Sequence, residues 1–431
     1  RRRVALLVVT AALALGLPLA TPAAASPTAT QAPPLAAGTR FTTPVPDPGA
    51  VQQAIDLAHA NRYGDAGLVA RESITPQAMW FTEGTPAEVR SEVRRAAALA
   101  AATGTVPTLV VYNVPGRDCS QYSSGGAATD AEYQAWIDGF ASGLVRTQQV
   151  VVVIEPDGLA NLPSDCGSAY PGQDVAALTA GRIADIRYAG KAVERANPNA
   201  LVYLDAGHSA WHSVGDMTSR LEQAGVTEFQ GFSLNVSNYQ YTPNLEYYGT
   251  WISDCIAYTT VVVVGDVGSC GDQYYSGGPA NNWVGPALDP SRPWSDTAAE
   301  PTIDTAGITS RYAQQLGDVA PTARFVIDTS RNGQGPWAPA AGTGYPDPQA
   351  WCNPPGRGLG GRPVAVPDPA FPLVDAFLWV KTPGQSDGQC NRGVAGSTTD
   401  PEWGGITDPA AGAWFRQQAL QLAQLAAPPL R

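Results

Sequence analysis

Five consecutive β-branched residues, Val150 to Ile154, constrain this chain more than any other feature. A run apolar on both faces is a strand buried on both sides, as in a parallel sheet covered by helices. It ends abruptly in Glu155-Pro156-Asp157-Gly158. A carboxylate at the C-terminal mouth of a buried parallel strand is where α/β barrels carry their chemistry. Pro156 stops the strand and sets Asp157 on the rim beside apolar walls. Such walls raise the pKa of a carboxylic acid and let it donate a proton near neutral pH.

Other apolar runs end in the same way. Thr108–Tyr112 leads to Asp118, Leu201–Leu204 to Asp205, Phe325–Ile327 to Asp328, and Phe377–Val380 through Lys381 to Asp387. Gly231–Asn235 reads as a further strand. Helical periodicity marks residues 86–103, 131–144, 174–197, 308–316 and 408–425. This alternation predicts an α/β fold, a distorted parallel β/α barrel with its active-site cleft at the C-terminal face of the strands. Residues 242–305 and 332–372, rich in Gly and Pro with aromatic residues among them, are expected to be long loops that build the cleft.

Charge and cysteine content narrow the setting. The net charge of −12 disfavours nucleic acid or another polyanion as partner. Arg1-Arg2-Arg3, an apolar run to about Leu19 and Ala23-Ala24-Ala25 predict a signal peptide over residues 1–25. Residues 26–45 read as a Pro/Ala/Thr-rich linker and 46–431 as the catalytic domain. A secreted, extracellular monomer without a membrane anchor is expected. Six cysteines in an exported chain imply disulfides. Proximity favours Cys119–Cys166, Cys255–Cys270 and Cys352–Cys390.

The chemistry follows by elimination. His208 and His212 stand four apart with Asp205 nearby, which raises a metal site. A zinc hydrolase of the His-Glu-x-x-His type would need Glu where Ser209 stands, and a metal-dependent deacetylase is disfavoured by the low histidine count. Nucleophilic serine lacks a Gly-x-Ser-x-Gly elbow. Carboxylate acid–base catalysis remains, with glycoside hydrolysis its leading case and no metal or cofactor implied. Trp80, Trp211, Trp351 and Trp403, in or beside strand-end loops, offer flat faces for pyranose rings. Trp136 and Trp379, inside periodic segments, are expected in the core.

Together the motifs resemble glycoside hydrolase family 6, the inverting cellulases, and among them the secreted bacterial endoglucanases. The resemblance rests on Tyr112-Asn113-x-Pro115-Gly116-Arg117-Asp118-Cys119, Glu155-Pro156-Asp157, Asp205-Ala206-Gly207-His208-Ser209-Ala210-Trp211, Asn235-Val236-Ser237-Asn238-Tyr239, Ile327-Asp328-Thr329-Ser330-Arg331-Asn332-Gly333, Trp351-Cys352-Asn353 and Trp379-Val380-Lys381-x-Pro383-Gly384. It implies Asp157 as general acid, Asp118 as the second acid that keeps Asp157 protonated, and Asp387 as candidate base. Tyr112 would crowd the reacting sugar, and Ser124 would hold the attacking water. Trp80, Trp211 and Trp351 would be sugar platforms. Asp205 would stabilise charge and bind substrate. His208, Asn235, Asn238, Arg331, Lys381 and Gln385 would bind hydroxyls. Gln385 stands where the family often has Glu. The first and third cysteine pairs also match the family. The implied substrate is cellulose or a soluble β-1,4-glucan cut internally; a cellobiohydrolase or a non-catalytic glycan-binding protein is the alternative.

Overall fold

A computed structural model describes residues 33–275 and 285–430 of the chain; the predicted signal peptide lies outside them. In chain order the elements are α1 (Pro48–His59), α2 (Tyr63–Ser73), β1 (Met79–Phe81), α3 (Pro86–Thr103), β2 (Thr108–Val111), α4 (Asp130–Gly143), β3 (Val150–Ile154), α5 (Val175–Ala196), β4 (Ala200–Asp205), α6 (Val214–Gln223), β5 (Gly231–Leu234), α7 (Thr242–Ala257), α8 (Ala306–Leu316), β6 (Arg324–Asp328), β7 (Val364–Ala365), β8 (Val374–Leu378) and α9 (Arg416–Gln424). The sheet runs β1-β2-β3-β4-β5-β6-β8-β7. All pairings are parallel except that of β7 with β8.

The sheet curls until its first and last parallel strands meet. Ala78 N–H, just before β1, donates to Trp379 O beyond β8 at 2.9 Å, and Trp80 Nε1 donates to Val380 O at 2.8 Å. This is the distorted α/β barrel expected from the strand–helix alternation.

The double-sided apolar runs produce two cores. Val150, Val152 and Ile154 of β3 face the helices, while Val151 and Val153 face the barrel interior with Val110, Leu201, Tyr203, Val326 and Leu378. Burying each such aliphatic side chain stabilises the fold by about 1.5–3 kcal/mol over leaving it exposed. Asp205 continues the inward phase of Leu201 and Tyr203, and Asp328 that of Val326. Alternation thus delivers these carboxylates to the inner mouth. Capping fixes the helices: Thr85 and Glu88 close a capping box around Pro86 in α3, which ends at Gly104 with φ 61°.

Several boundaries differ from the sequence reading. Residues 242–305 open with a full helix, α7, so the segment is a crossover rather than a loop throughout. Strand β8 starts three residues earlier than predicted and includes buried Asp375, which accepts from Tyr203 Oη (2.6 Å) and Gln230 Nε2 (2.8 Å). The C-terminal helix begins at Arg416, not Asp408. Leu35 and Phe41 pack into the inner core, so ordered packing begins inside the stretch whose composition suggests a linker. Trp136 and Trp379 are core residues. The three disulfides join Cys119–Cys166, Cys255–Cys270 and Cys352–Cys390, with Cα separations of 5.7, 5.7 and 5.9 Å.

Candidate active site

The loops beyond the strands enclose a cleft of about 420 Å³ at the C-terminal mouth of the barrel. It gathers Trp80, Tyr112, Asp118, Asp157, His208, Trp211, Asn238, Trp351, Lys381 and Asp387 from loops far apart in sequence.

Backbone strain aims the acids. Glu155 and Asp157 have φ of 49° and 62°, a region costing an ordinary residue roughly 1–3 kcal/mol. Glu155 turns away from the cleft. Its carboxylate accepts from Asn113 N (3.0 Å), Val114 N (3.1 Å) and Tyr133 Oη (2.9 Å), pinning the β2 loop onto β3. Burial pushes its pKa to about 7 despite those bonds.

Asp157 turns into the cleft. Its residue is half-buried, but its Oδ1 is shut off from solvent and has no hydrogen-bond partner. Burial, then the charges of Asp205, Asp118 and Asp387, push its pKa well above the ordinary carboxyl value. A buried acid without donors stays protonated, as a general acid must. Asp205 sits directly behind it and accepts from Asp157 N (2.9 Å), Gly207 N (3.1 Å) and Ser233 Oγ (2.9 Å). Burial raises Asp205 to about 7. Only 1% of Asp205 is exposed, so it acts on Asp157 rather than as a surface for substrate.

Asp118, also at positive φ (57°), accepts from Ser123 N at 2.6 Å. Burial raises its pKa, while that bond and Arg117 oppose the rise. Arg117 clamps the same loop: it donates to Tyr112 O (2.6 Å), Thr82 O (2.8 Å) and Ser123 O (2.9 Å) and lies 4.7 Å over the Tyr112 ring. Tyr112 meets Trp80 edge-on at 5.5 Å.

Asp387 lies in the opposite environment. Arg331 grips it with two nitrogens at 2.9 and 3.0 Å, Tyr239 Oη donates at 3.1 Å, and Asn353 N donates at 3.0 Å. Lys381 Nζ stands 3.4 Å away. Burial opposes the charge, but Arg331 and Lys381 outweigh it and hold the pKa below the usual carboxylate range. Asp328 positions Lys381 by accepting its backbone N–H at 2.9 Å, together with those of Ser237, Ser330 and Val380.

Three aromatic faces line the cleft. Trp351 is 36% exposed and tilts against Tyr122 at 5.9 Å. Trp211 packs between His208 and His212, at 5.4 and 5.7 Å. Burial, then His212, lowers the His208 pKa to about 3, so it is neutral. His208 Nδ1 accepts from Ala210 N at 3.2 Å, which assigns the proton to Nε2 as a donor. Both nitrogens of His212 are engaged, with Asp216 (2.7 Å) and Ala160 O (2.8 Å). The histidine pair therefore does not converge on a metal.

Besides Asp205, five of the residues expected to touch substrate or water lie elsewhere. Ser124 faces a separate depression with Thr82, Asn113 and Trp136, and Ser123 lines the cleft instead. Gln385 Nε2 donates to Asp47 Oδ2 at 3.0 Å in a neighbouring cavity that Trp80 also lines. Arg331 is fully buried under Asp387. Asn235, also fully buried, donates to Asp328 O at 2.8 Å. Trp403 donates to Asn353 O at 2.7 Å and packs on Phe415, so it is structural. Tyr239, Asn353 and Ser123 were not singled out from sequence. Tyr239 and Asn353 do lie within the quoted motifs, but nothing in the letters shows that they hold Asp387.

The family model described as glycosyl hydrolases family 6 matches residues 37–426. Endoglucanase A of Cellulomonas fimi is 34% identical over 361 residues, 84% of this chain and 56% of that protein. Endoglucanase A of Thermobispora bispora is 33% identical over 74% of this chain and 52% of its own length. The chain thus spans about half the length of these two relatives. A probable 1,4-β-D-glucan cellobiohydrolase C of Neosartorya fischeri is 30% identical over 73% of this chain and 60% of its own length. The endoglucanase Cel6 of Mycobacterium tuberculosis, solved with a thio-linked cellobioside ligand, superposes with TM-score 0.61 at 31% identity, covering 90% of this chain and 98% of that one. The chain belongs to glycosyl hydrolases family 6.

Proposed function

We propose that this chain is a secreted endo-β-1,4-glucanase that hydrolyses internal bonds of cellulose or a related β-glucan with inversion. The observation that carries the reading is the pairing of Asp157, whose Oδ1 is buried and partnerless, with a cation-held carboxylate at Asp387 on one aromatic-lined cleft. Asp157 protonates the glycosidic oxygen, and Asp205 and Asp118 disfavour its ionisation. Asp387, always ionised in the working range, orients the attacking water or stabilises positive charge as the bond breaks. A carboxylate held this low is a weak base, so proton removal from that water runs through a neighbour of higher pKa such as Asp118. Ser123 takes the place expected for Ser124 beside the water. Trp80, Trp211 and Trp351 stack on sugars, while His208, Asn238 and Lys381 bind hydroxyls. Residues 1–25 serve as signal peptide, and the catalytic domain begins near Leu35, inside the stretch whose composition suggests a linker. Among the described residues no helix is long and apolar enough to cross a membrane, and the working form is a monomer.

Exo action is the second reading, favoured by one contact. Tyr122, in the loop after β2, accepts from Gln349 Nε2 at 3.2 Å and meets Asn391 Oδ1 at 3.4 Å. That bridge joins two loops beside Trp351, which lines the cleft. Carboxymethyl cellulose separates the readings: rapid viscosity loss per reducing end released marks endo action, and slow loss marks exo action. NMR of early products tests the mechanism. Early α-anomer supports inversion; early β-anomer contradicts it.

A further inference from the structure

Asp387 is held by the cations of Arg331 and Lys381 and by one amide. Asp387 N–H donates to Asn353 Oδ1 at 2.8 Å, and Asn353 N–H donates back to Asp387 Oδ2 at 3.0 Å. The two residues form a closed ring of hydrogen bonds. Asn353 is fully buried with φ 40°, so the ring fixes a strained backbone rather than a free side chain.

What orients the Asn353 amide is a second carboxyl. Asn353 Nδ2 donates to Asp408 Oδ2 at 2.8 Å, and also approaches Ser386 Oγ and Gly388 O at 2.9 Å each. Asp408 Oδ2 and Gly388 O accept at Nδ2 while Oδ1 accepts the Asp387 N–H, so this orientation of the amide satisfies both of its ends. Asp408 is 1% exposed, and its Oδ1 is buried without a partner. One of its carboxyl oxygens lies within 4.8 Å of one from Asp400, which is itself paired with buried Arg392. Cys390 joins this group but its sulfur is in a disulfide, so the group offers no metal set. Burial and then Asp400 push Asp408 to about 7, against Arg392 and the Asn353 bond.

We propose that Asp408 is a positioning residue for Asp387, acting through the Asn353 amide to fix where the carboxylate stands in the cleft. The proposal rests on the role given to Asp387 above. Asp408 touches neither substrate nor the cleft lining. Its effect is on the placement of Asp387, and misplacement of a catalytic group by an ångström lowers turnover without a matching loss of binding.

A double-mutant cycle on cellotetraose hydrolysis tests it. Asp408→Ala is expected to lower kcat about 10- to 100-fold with little change in KM. The same substitution in an Asp387→Ala background should add nothing. Asp408→Asn keeps an oxygen for Asn353 and a donor for Asp400, so it should restore kcat. An equal loss from Asp408→Ala in both backgrounds would overturn the proposal, as would wild-type kcat in the folded single variant. Undiminished activity in Asp387→Ala would instead overturn the reading on which it rests. Should Asp408→Ala fail to fold, Asp408→Asn decides through pH. Its kcat relative to wild type should fall between about pH 5 and about pH 8, because Asp408 in the wild type becomes a charged and stronger acceptor for Asn353 Nδ2 while asparagine does not titrate. A flat ratio would overturn the proposal.

Discussion

Asp157 and Asp387 line one cleft, carry the same functional group and sit in opposite surroundings. Around Asp157 are the charges of three carboxyls, opposed more weakly by Lys381, and its Oδ1 is buried without a partner. Around Asp387 are a guanidinium, an ammonium, a phenol and a backbone N–H. The first environment favours the neutral acid and the second the anion. The difference shows that role is set by what the strand ends place next to a carboxyl, and not by its being an Asp at a strand end. Asp328 makes the point again: at a similar position, four backbone N–H groups satisfy it and it becomes a structural tie.

The sharpest way to break the contrast is Asp157→Asn. Loss of a general acid should lower kcat about 10²- to 10⁴-fold. The same variant should be more thermostable than wild type, and increasingly so with pH. The folded-state pKa of Asp157 is raised, so its contribution is fully present below the unfolded value and is lost as pH rises through the folded one. Asparagine does not titrate. The melting-temperature difference should therefore be wider at about pH 8 than at about pH 4; calorimetry at the two values checks it.

Next in size is Arg331→Leu. Removing one partner of a buried ion pair costs about 3–5 kcal/mol, measurable by urea unfolding. Asp387 would lose its main cation, so the acidic limb of the pH–rate profile should move to higher pH. Asp118→Asn acts on the other carboxyl. Without that charge Asp157 ionises more easily, so the alkaline limb should move to lower pH, and kcat should fall because asparagine cannot take the proton from the attacking water. Trp211→Ala or Trp351→Ala should weaken substrate binding by about 0.5–1.5 kcal/mol, the usual worth of an aromatic contact beyond its area. That loss should appear in KM rather than kcat. The smallest effect is Gln385→Ala. It removes a bond to Asp47 outside the central cleft, costing about 1 kcal/mol of stability and leaving kcat unchanged in the same assay.

Strands were the most legible part of the chain. Val150–Ile154 was found to the residue because burial on both faces leaves an uninterrupted apolar run. The β8 boundary was missed because buried Asp375 interrupts such a run, and its partners Tyr203 and Gln230 lie far away in sequence. Helix α7 was hidden because Pro243, Tyr247, Tyr248 and Gly249 resemble a loop, although Pro is well placed in a first turn. Motifs located the cleft but not its fine orientation. Ser123 and Ser124 differ only in which way a turn faces, and Arg331 was read as a hydroxyl binder because its pairing with Asp387 spans two loops. The positive φ at Glu155 and Asp157, which aims one acid away and the other inward, has no signature in the letters.

The central claim is that one cleft holds a neutral Asp157 beside an ionised Asp387. Carboxyl ¹³C NMR of the aspartate-labelled protein, titrated from acid to neutral pH, tests it most directly. Asp157→Asn and Asp387→Asn identify the two resonances. The account predicts that the resonance lost in the first variant titrates far above the usual carboxylate range, and that the one lost in the second stays ionised below it. Two resonances titrating together at the ordinary Asp value would contradict the account.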